Sequence, residues 1–168
     1  MNWAHLHLII NHFPVVGLIF AVLLFGVAFI RKSEELKQVT LGALVFIALT
    51  TVPVYLTGTA SGDMDMVKKL PGVTENIIGT HEEVASLALT VISILGILAL
   101  GGLIFFRRSP KIPAWFMVML LAGTLASAAV TGLTANLGGQ IRHTEIREGF
   151  ANPPAPEPAK HDEQKQGH

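Results

Sequence analysis

Residues 13–30 read FPVVGLIFAVLLFGVAFI, eighteen consecutive positions without a charge, and Leu8 to His12 extend the run towards the N-terminus. About 20 predominantly apolar residues are needed for a helix to cross a hydrocarbon core of about 30 Å. Working outward, three further stretches meet or approach that length, and together they set spans over about 7–30, 39–58, 82–106 and 112–138. Unpaired backbone groups are not tolerated in lipid, and none of the stretches alternates apolar with polar residues as a strand would. The expected fold is all-α, a transmembrane four-helix bundle over residues 1–146.

Composition agrees. The 168 residues are 51% hydrophobic and 14% charged, with a mean hydropathy of +0.53, whereas an average soluble domain is about 25% charged. Twelve Lys and Arg balance twelve Asp and Glu, which argues against a nucleic-acid partner attracted by excess positive charge. The absence of cysteine excludes disulfides, thiolate zinc sites, iron–sulfur clusters, covalently attached c-type haem and a cysteine nucleophile. Any bound metal or cofactor must draw its nitrogen ligands from seven histidines, with five methionines as the other soft donors.

Pro14 falls in the first turns of its helix, where a missing N–H costs little, while Pro53 lies inside the second span and should kink it. The turns at 31–38 and 107–111 are short and carry Arg31, Lys32, Lys37, Arg107, Arg108 and Lys111 beside span ends. Basic residues concentrated there favour those turns as cytoplasmic, with both termini and a long 57–80 loop on the periplasmic side of a bacterial inner membrane. The first span lacks a basic leader and is followed by Arg31 instead of a small-residue cleavage site, so it is expected to stay in place. Residues 147–168, polar and rich in Pro and Glu, are expected to be a disordered tail.

The histidines then become the main interest. His12 lies nineteen residues before Arg31, roughly 28 Å along a helix, which puts it at the outer membrane boundary. His7 and His5 lie one to two turns further out. His81 opens the third span, where Thr80-His81-Glu82-Glu83 fits a capping box with Thr80 as the cap. His143 follows the end of the fourth span, and His161 and His168 belong to the tail. Each has an ordinary reading as an interfacial, first-turn or solvated residue. Five at one end of a bundle, where polar groups at membrane depth are costly, point instead to a ligand site. On a helical wheel His5 and His12 share a face, and His7 points about 140° from His12.

Several phrases recur. His12 and His81 open the first and third spans, Arg31-Lys32-Ser33 and Arg107-Arg108-Ser109 close them, and LTGTASGD (56–63) matches LTANLGGQ (133–140). Two related helical hairpins would explain this, with His12 and His81 as equivalents facing each other; chance similarity among Gly- and Leu-rich spans is the rival account. Neutral imidazoles from facing helices suit a b-type haem, held without covalent attachment.

The phrases LHLIINHFPVVG (6–17), HEEVASLAL (81–89) and GLTANLGGQIRHTEI (132–146) resemble the bacterial DUF2231 membrane proteins. Those are four-span proteins with an HFP motif in the first helix, a histidine opening the third, and a glycine-rich end to the fourth with a histidine nearby. The resemblance implies an architecture like that of the two-haem cytochrome b superfamily, with haem binding and electron transfer. By motif it makes His12 and His81 the primary axial candidates and His7 and His143 the secondary ones. Where such proteins often have His-Pro early in the first helix, this chain has His7-Leu8, which weakens the claim of His7.

The leading expectation is therefore a non-enzymatic electron-transfer protein at the periplasmic face. Its cofactor is one b haem, with enough candidate ligands for two, and it exchanges electrons with quinol or a periplasmic redox protein, alone or within a larger respiratory complex. Two axial histidines leave no open position for oxygen chemistry. One alternative is a copper-handling protein in which Met64 and Met66 add thioether ligands, although Met64, Val67 and Leu70 also share a face that would pack a turn onto the membrane. The other is a cofactor-free structural or assembly subunit. Of the remaining features, Glu82 and Glu83 could support a ligand histidine, Gly123/Ser127/Thr131 and Ala128/Gly132/Asn136 form small-residue stripes on span four, and Trp3, Tyr55 and Trp115 read as interfacial anchors. No phosphate loop, nucleophile elbow or HExxH motif is present.

Overall fold

Four long apolar helices run alternately up and down in the computed structural model, which describes residues 2–70, 72–109 and 111–147. The first span is Trp3–Arg31, divided into α1 (Trp3–Ile10) and α2 (His12–Arg31) by a break of stride at Asn11. Pro14 supplies no N–H to the Ile10 carbonyl, so the helical ladder is weakened at that point. Then follow α3 (Glu34–Gly62), the single turn α4 (Asp65–Lys68), α5 (Glu75–Phe106) and α6 (Ala114–Arg142), and a 3-10 turn at Thr144–Ile146. Pro53 lies inside α3, and the helix continues beyond it to Gly62.

The spans pack as a square in chain order: α2 against α3 and α6, α3 against α5, and α5 against α6. The first and third spans are therefore diagonal and parallel, a consequence of short turns between antiparallel neighbours. This is a multi-pass membrane protein, and its surface says so. Phe20, Leu23, Phe46, Leu49, Ile97 and Phe105 are exposed, and only 28–33% of each span's most apolar window is buried. Lipid contact removes the need to hide such side chains.

Two expectations about helix ends need correction. The third span begins at Glu75, not beside His81. Thr74 is its cap, with a hydroxyl accepting from Ile77 N at 3.3 Å. Thr80 is an internal position whose hydroxyl donates to Asn76 O at 2.8 Å. The 57–80 loop likewise shrinks to 63–74, because α3 runs on to Gly62 and α5 starts early. Hydropathy marks where hydrocarbon ends; a helix can continue into polar surroundings as long as its backbone ladder is intact. Of the tail expected over 147–168, Arg147 alone falls within the described residues, and 148–168 lie outside them.

The two ends of the bundle differ in packing. Near the 31–34 and 107–113 turns, Leu18, Phe25, Leu41, Leu44, Met117 and Leu120 are fully or almost fully buried. A Cβ at Gly96 would collide with Ala48, and one at Gly102 would lie 2.5 Å from the Phe116 ring, so glycine allows the helices to meet closely there. Glu34 fastens this end: Oε2 accepts from Ile112 N at 2.7 Å, Oε1 receives Lys37 Nζ at 2.8 Å, and the same Nζ donates to Ile112 O at 3.0 Å. Buried hydroxyls are satisfied within their own helices, as with Thr40 to Leu36 O, Thr124 to Leu120 O and Thr131 to Ser127 O. Above Thr51, Ile92 and Thr131 the helices part around a cavity.

Candidate functional site

The cavity has a volume of about 380 Å3 and draws on all four spans at the histidine end. That size lies within the range of small-molecule and cofactor sites, about 300–1,000 Å3. Its lining is mostly apolar, with Thr51, Ile92, Thr131, Pro14 and Val15 on its deeper side.

His7 projects from α1 towards α3. Its Nδ1 lies 3.0 Å from Val54 O and 3.3 Å from Thr57 Oγ1. A Cβ at Gly58 would come within 2.9 Å of His7 Cε1, so the ring fits only because that position has no side chain. His81 repeats the arrangement from α5 onto α6. Its Nδ1 lies 3.1 Å from Thr134 O, and a Cβ at Gly138 would come within 3.0 Å of its Cε1. In both cases the glycine follows the carbonyl residue by four positions. In a helix the side chain at i+4 shields the carbonyl of residue i, and glycine there leaves that oxygen open to a second donor. A carbonyl can only accept, so each Nδ1 is the donor, and in the neutral ring the lone pair then lies on Nε2. Both rings are half-buried and line the cavity.

Depth agrees with this pairing. His7 lies 24 residues before the end of its span at Arg31, and His81 lies 25 before Phe106, about 36 and 38 Å at the helical rise. The two imidazoles stand at one level on diagonal helices. The counterpart of His81 is thus His7, not His12 as the repeated phrases suggested. The phrase match 56–63 with 133–140 is also three residues out of register with the matching roles of Gly58 and Gly138.

All four sequence-selected histidines line the cavity, but the other two differ in environment. His12 is exposed, about a turn deeper, and its ring makes no hydrogen bond among the described residues. His143 caps the end of α6, exposed, with Nδ1 2.9 Å from Glu145 Oε1. Neither Glu82 nor Glu83 backs a histidine ring: that role falls to the Val54 and Thr134 carbonyls. Glu82 instead packs on Gly62, where a Cβ would lie 2.8 Å from its Oε1, and Glu83 is exposed. Asn11 Oδ1 is buried with no hydrogen-bond partner in the protein. Met64, Val67 and Leu70 are half-buried and Met66 is exposed, with Met66 Sδ accepting from Asn2 Nδ2 at 3.7 Å, as expected of a turn packed by one apolar face.

Among the described residues no three His, Asp or Glu side chains come together as a metal-binding group. The residues that sequence reasoning missed are Gly58, Gly138 and the two carbonyls they uncover. Their signal was present, a glycine near the histidine end of each even-numbered span, but only the helix pairing shows which ring each one admits. No family model, curated protein or solved structure matches the chain.

Proposed function

We propose that the protein is a membrane cytochrome that binds one b-type haem between His7 and His81 and passes electrons at the periplasmic face of a bacterial inner membrane. The observation carrying this reading is the matched pair of imidazoles, each with Nδ1 at a backbone carbonyl and both rings lining the same cavity.

The donor set fits the group. A free metal ion such as zinc or copper generally asks for three or more protein ligands, and no such cluster of His, Asp or Glu exists among the described residues. A haem brings four nitrogens of its own and asks the protein for two. The lack of cysteine requires that attachment be non-covalent. When bound, the haem would supply a one-electron Fe(III)/Fe(II) couple.

The chain's own residues would set its behaviour. Held by both His7 and His81, the group would have no position left open to oxygen, which would direct the site to electron transfer. The Val54 and Thr134 carbonyls fix the tautomer and ring plane of each ligand and raise its basicity. Higher ligand basicity favours the more positively charged iron and so lowers the potential. The mostly apolar deeper wall of the cavity would limit water around the inner part of the bound group. Basic residues beside the 31–34 and 107–113 turns favour a cytoplasmic side for those turns, which would put the histidine end outside. A donor on that side would be a quinol or a periplasmic redox protein, with assembly into a respiratory complex compatible with either.

The test is a dithionite-reduced optical spectrum of the purified protein together with elemental analysis. A Soret band with a b-type α peak, and iron near one equivalent, supports the reading. Copper without a chromophore transfers the assignment to metal handling, and neither metal nor chromophore leaves a structural subunit.

A further inference from the structure

At the histidine end, the Lys and Arg side chains other than Arg142 each have a neighbour among the described residues. Lys68 pairs with Asp63 at 3.9 Å and Lys69 with Asp65 at 3.5 Å. Arg147 donates from Nε to Gln140 O at 2.7 Å, from Nη2 to Ile141 O at 3.3 Å and from Nη1 to Gly72 O at 2.7 Å. It thereby covers carbonyls at the end of α6 that a terminal cation would ordinarily serve. Arg142, in the last turn of that helix, is left without this task. It lines the cavity, it is exposed, and no carboxylate lies within ion-pair distance of it among the described residues. The other side chain of fixed charge lining the cavity is Glu82, lodged against Gly62 on α3, diagonal to α6.

We propose that Arg142 binds a carboxylate of the molecule held in this cavity. The proposal rests on the haem reading above and deepens it. The deeper wall is apolar or carries hydroxyls already bonded to their own helices, such as Thr51 to Ile47 O. A flat, largely apolar guest with acid groups at one edge suits this environment with its apolar edge inward and its acid edge towards the α6 rim, where Arg142 lies. Guanidinium suits the task because its donors form a fork matched to a carboxylate and it is never deprotonated. Arg142 would thus fix which way round the porphyrin sits, while His7 and His81 fix its plane.

The experiment compares haem with haem dimethyl ester, which keeps the ring and iron but has no ionisable acid. The full-length chain, stripped of cofactor in detergent, is titrated with each. Wild type is expected to bind haem at least tenfold more tightly than the ester. Arg142→Gln should weaken haem binding to the level of the ester and leave ester affinity unchanged, Arg142→Lys should recover part of the loss, and Arg108→Gln at the opposite end should change nothing. The helical circular dichroism of each variant checks folding. Equal affinity of wild type for both compounds, or a preference surviving in Arg142→Gln, would overturn the role of Arg142 and leave the histidine pair standing. Failure of wild type to bind either compound would remove the haem reading and this proposal with it.

Discussion

The bundle has one sealed half and one open half, built from the same four helices. In the sealed half, Gly96 and Gly102 let large neighbours close in, and Glu34 clasps the Ile112 backbone. In the open half, Gly58 and Gly138 do the reverse: each makes room for a histidine ring beside a helix and exposes a carbonyl to hold it. The same residue type thus serves helix contact at one end and the seating of an imidazole at the other. What differs is whether the facing element offers an alanine or phenylalanine, or an imidazole. The sealed half is packed through, and the open half holds a cavity.

That division can be broken experimentally. The largest effect should come from Phe25→Ala, which empties a fully buried position in the sealed half and should cost about 3–5 kcal/mol. Leu70→Ala, at the half-buried rim of the cavity, should cost less than about 1 kcal/mol. Unfolding in mixed micelles measures both, and equal losses would dissolve the distinction. Next, Glu34→Ala removes the acceptor for Ile112 N and the partner of Lys37, and should cost about 1–3 kcal/mol without changing any absorption from the cavity. Third, Gly58→Ala and Gly138→Ala should be nearly neutral for stability, since alanine favours a helix by about 0.5–1 kcal/mol over glycine and so offsets the disturbed packing. Each should nevertheless displace its histidine and weaken cofactor binding. A sizeable loss of stability with an unaltered spectrum would show that these glycines serve packing alone.

The smallest effect concerns pH. Glu145 carries a carboxyl held below its usual range by its own backbone amide and by the hydrogen bond from His143. A depressed carboxyl contributes stability above its unfolded pKa, about 4.3, and loses it as pH falls through the lower folded value. The 144–146 turn should therefore loosen only below about pH 4, while the cavity is unaffected, as the His143 ring signals would report.

How much of this was legible beforehand follows the same division. Uncharged runs such as 13–30 reveal the spans because lipid imposes one simple requirement along their whole length. The sealed turns were equally plain from Arg31-Lys32-Ser33 and Arg107-Arg108-Ser109. The open half was harder to read because its determinants are relations between helices. Thr80-His81-Glu82-Glu83 has the pattern of a cap, yet Thr74 starts the helix six residues earlier and carries His81 to its second turn. His12 stood out through its place beside Phe13-Pro14, but the wheel already turned it 140° from His7, and only α3, with its gap at Gly58, decides which of the two rings is seated against a neighbouring helix. Arg142 drew no notice, since a cation at a helix end has an ordinary explanation until Arg147 is seen to supply it.

The central claim is that His7 and His81 act as one ligand pair, and reduced-minus-oxidised difference spectra of four single variants test it most directly. His7→Ala and His81→Ala should each abolish or shift the haem bands, whereas His12→Ala and His143→Ala should keep them. Bands that survive in His7→Ala and His81→Ala but vanish in His12→Ala would contradict the account.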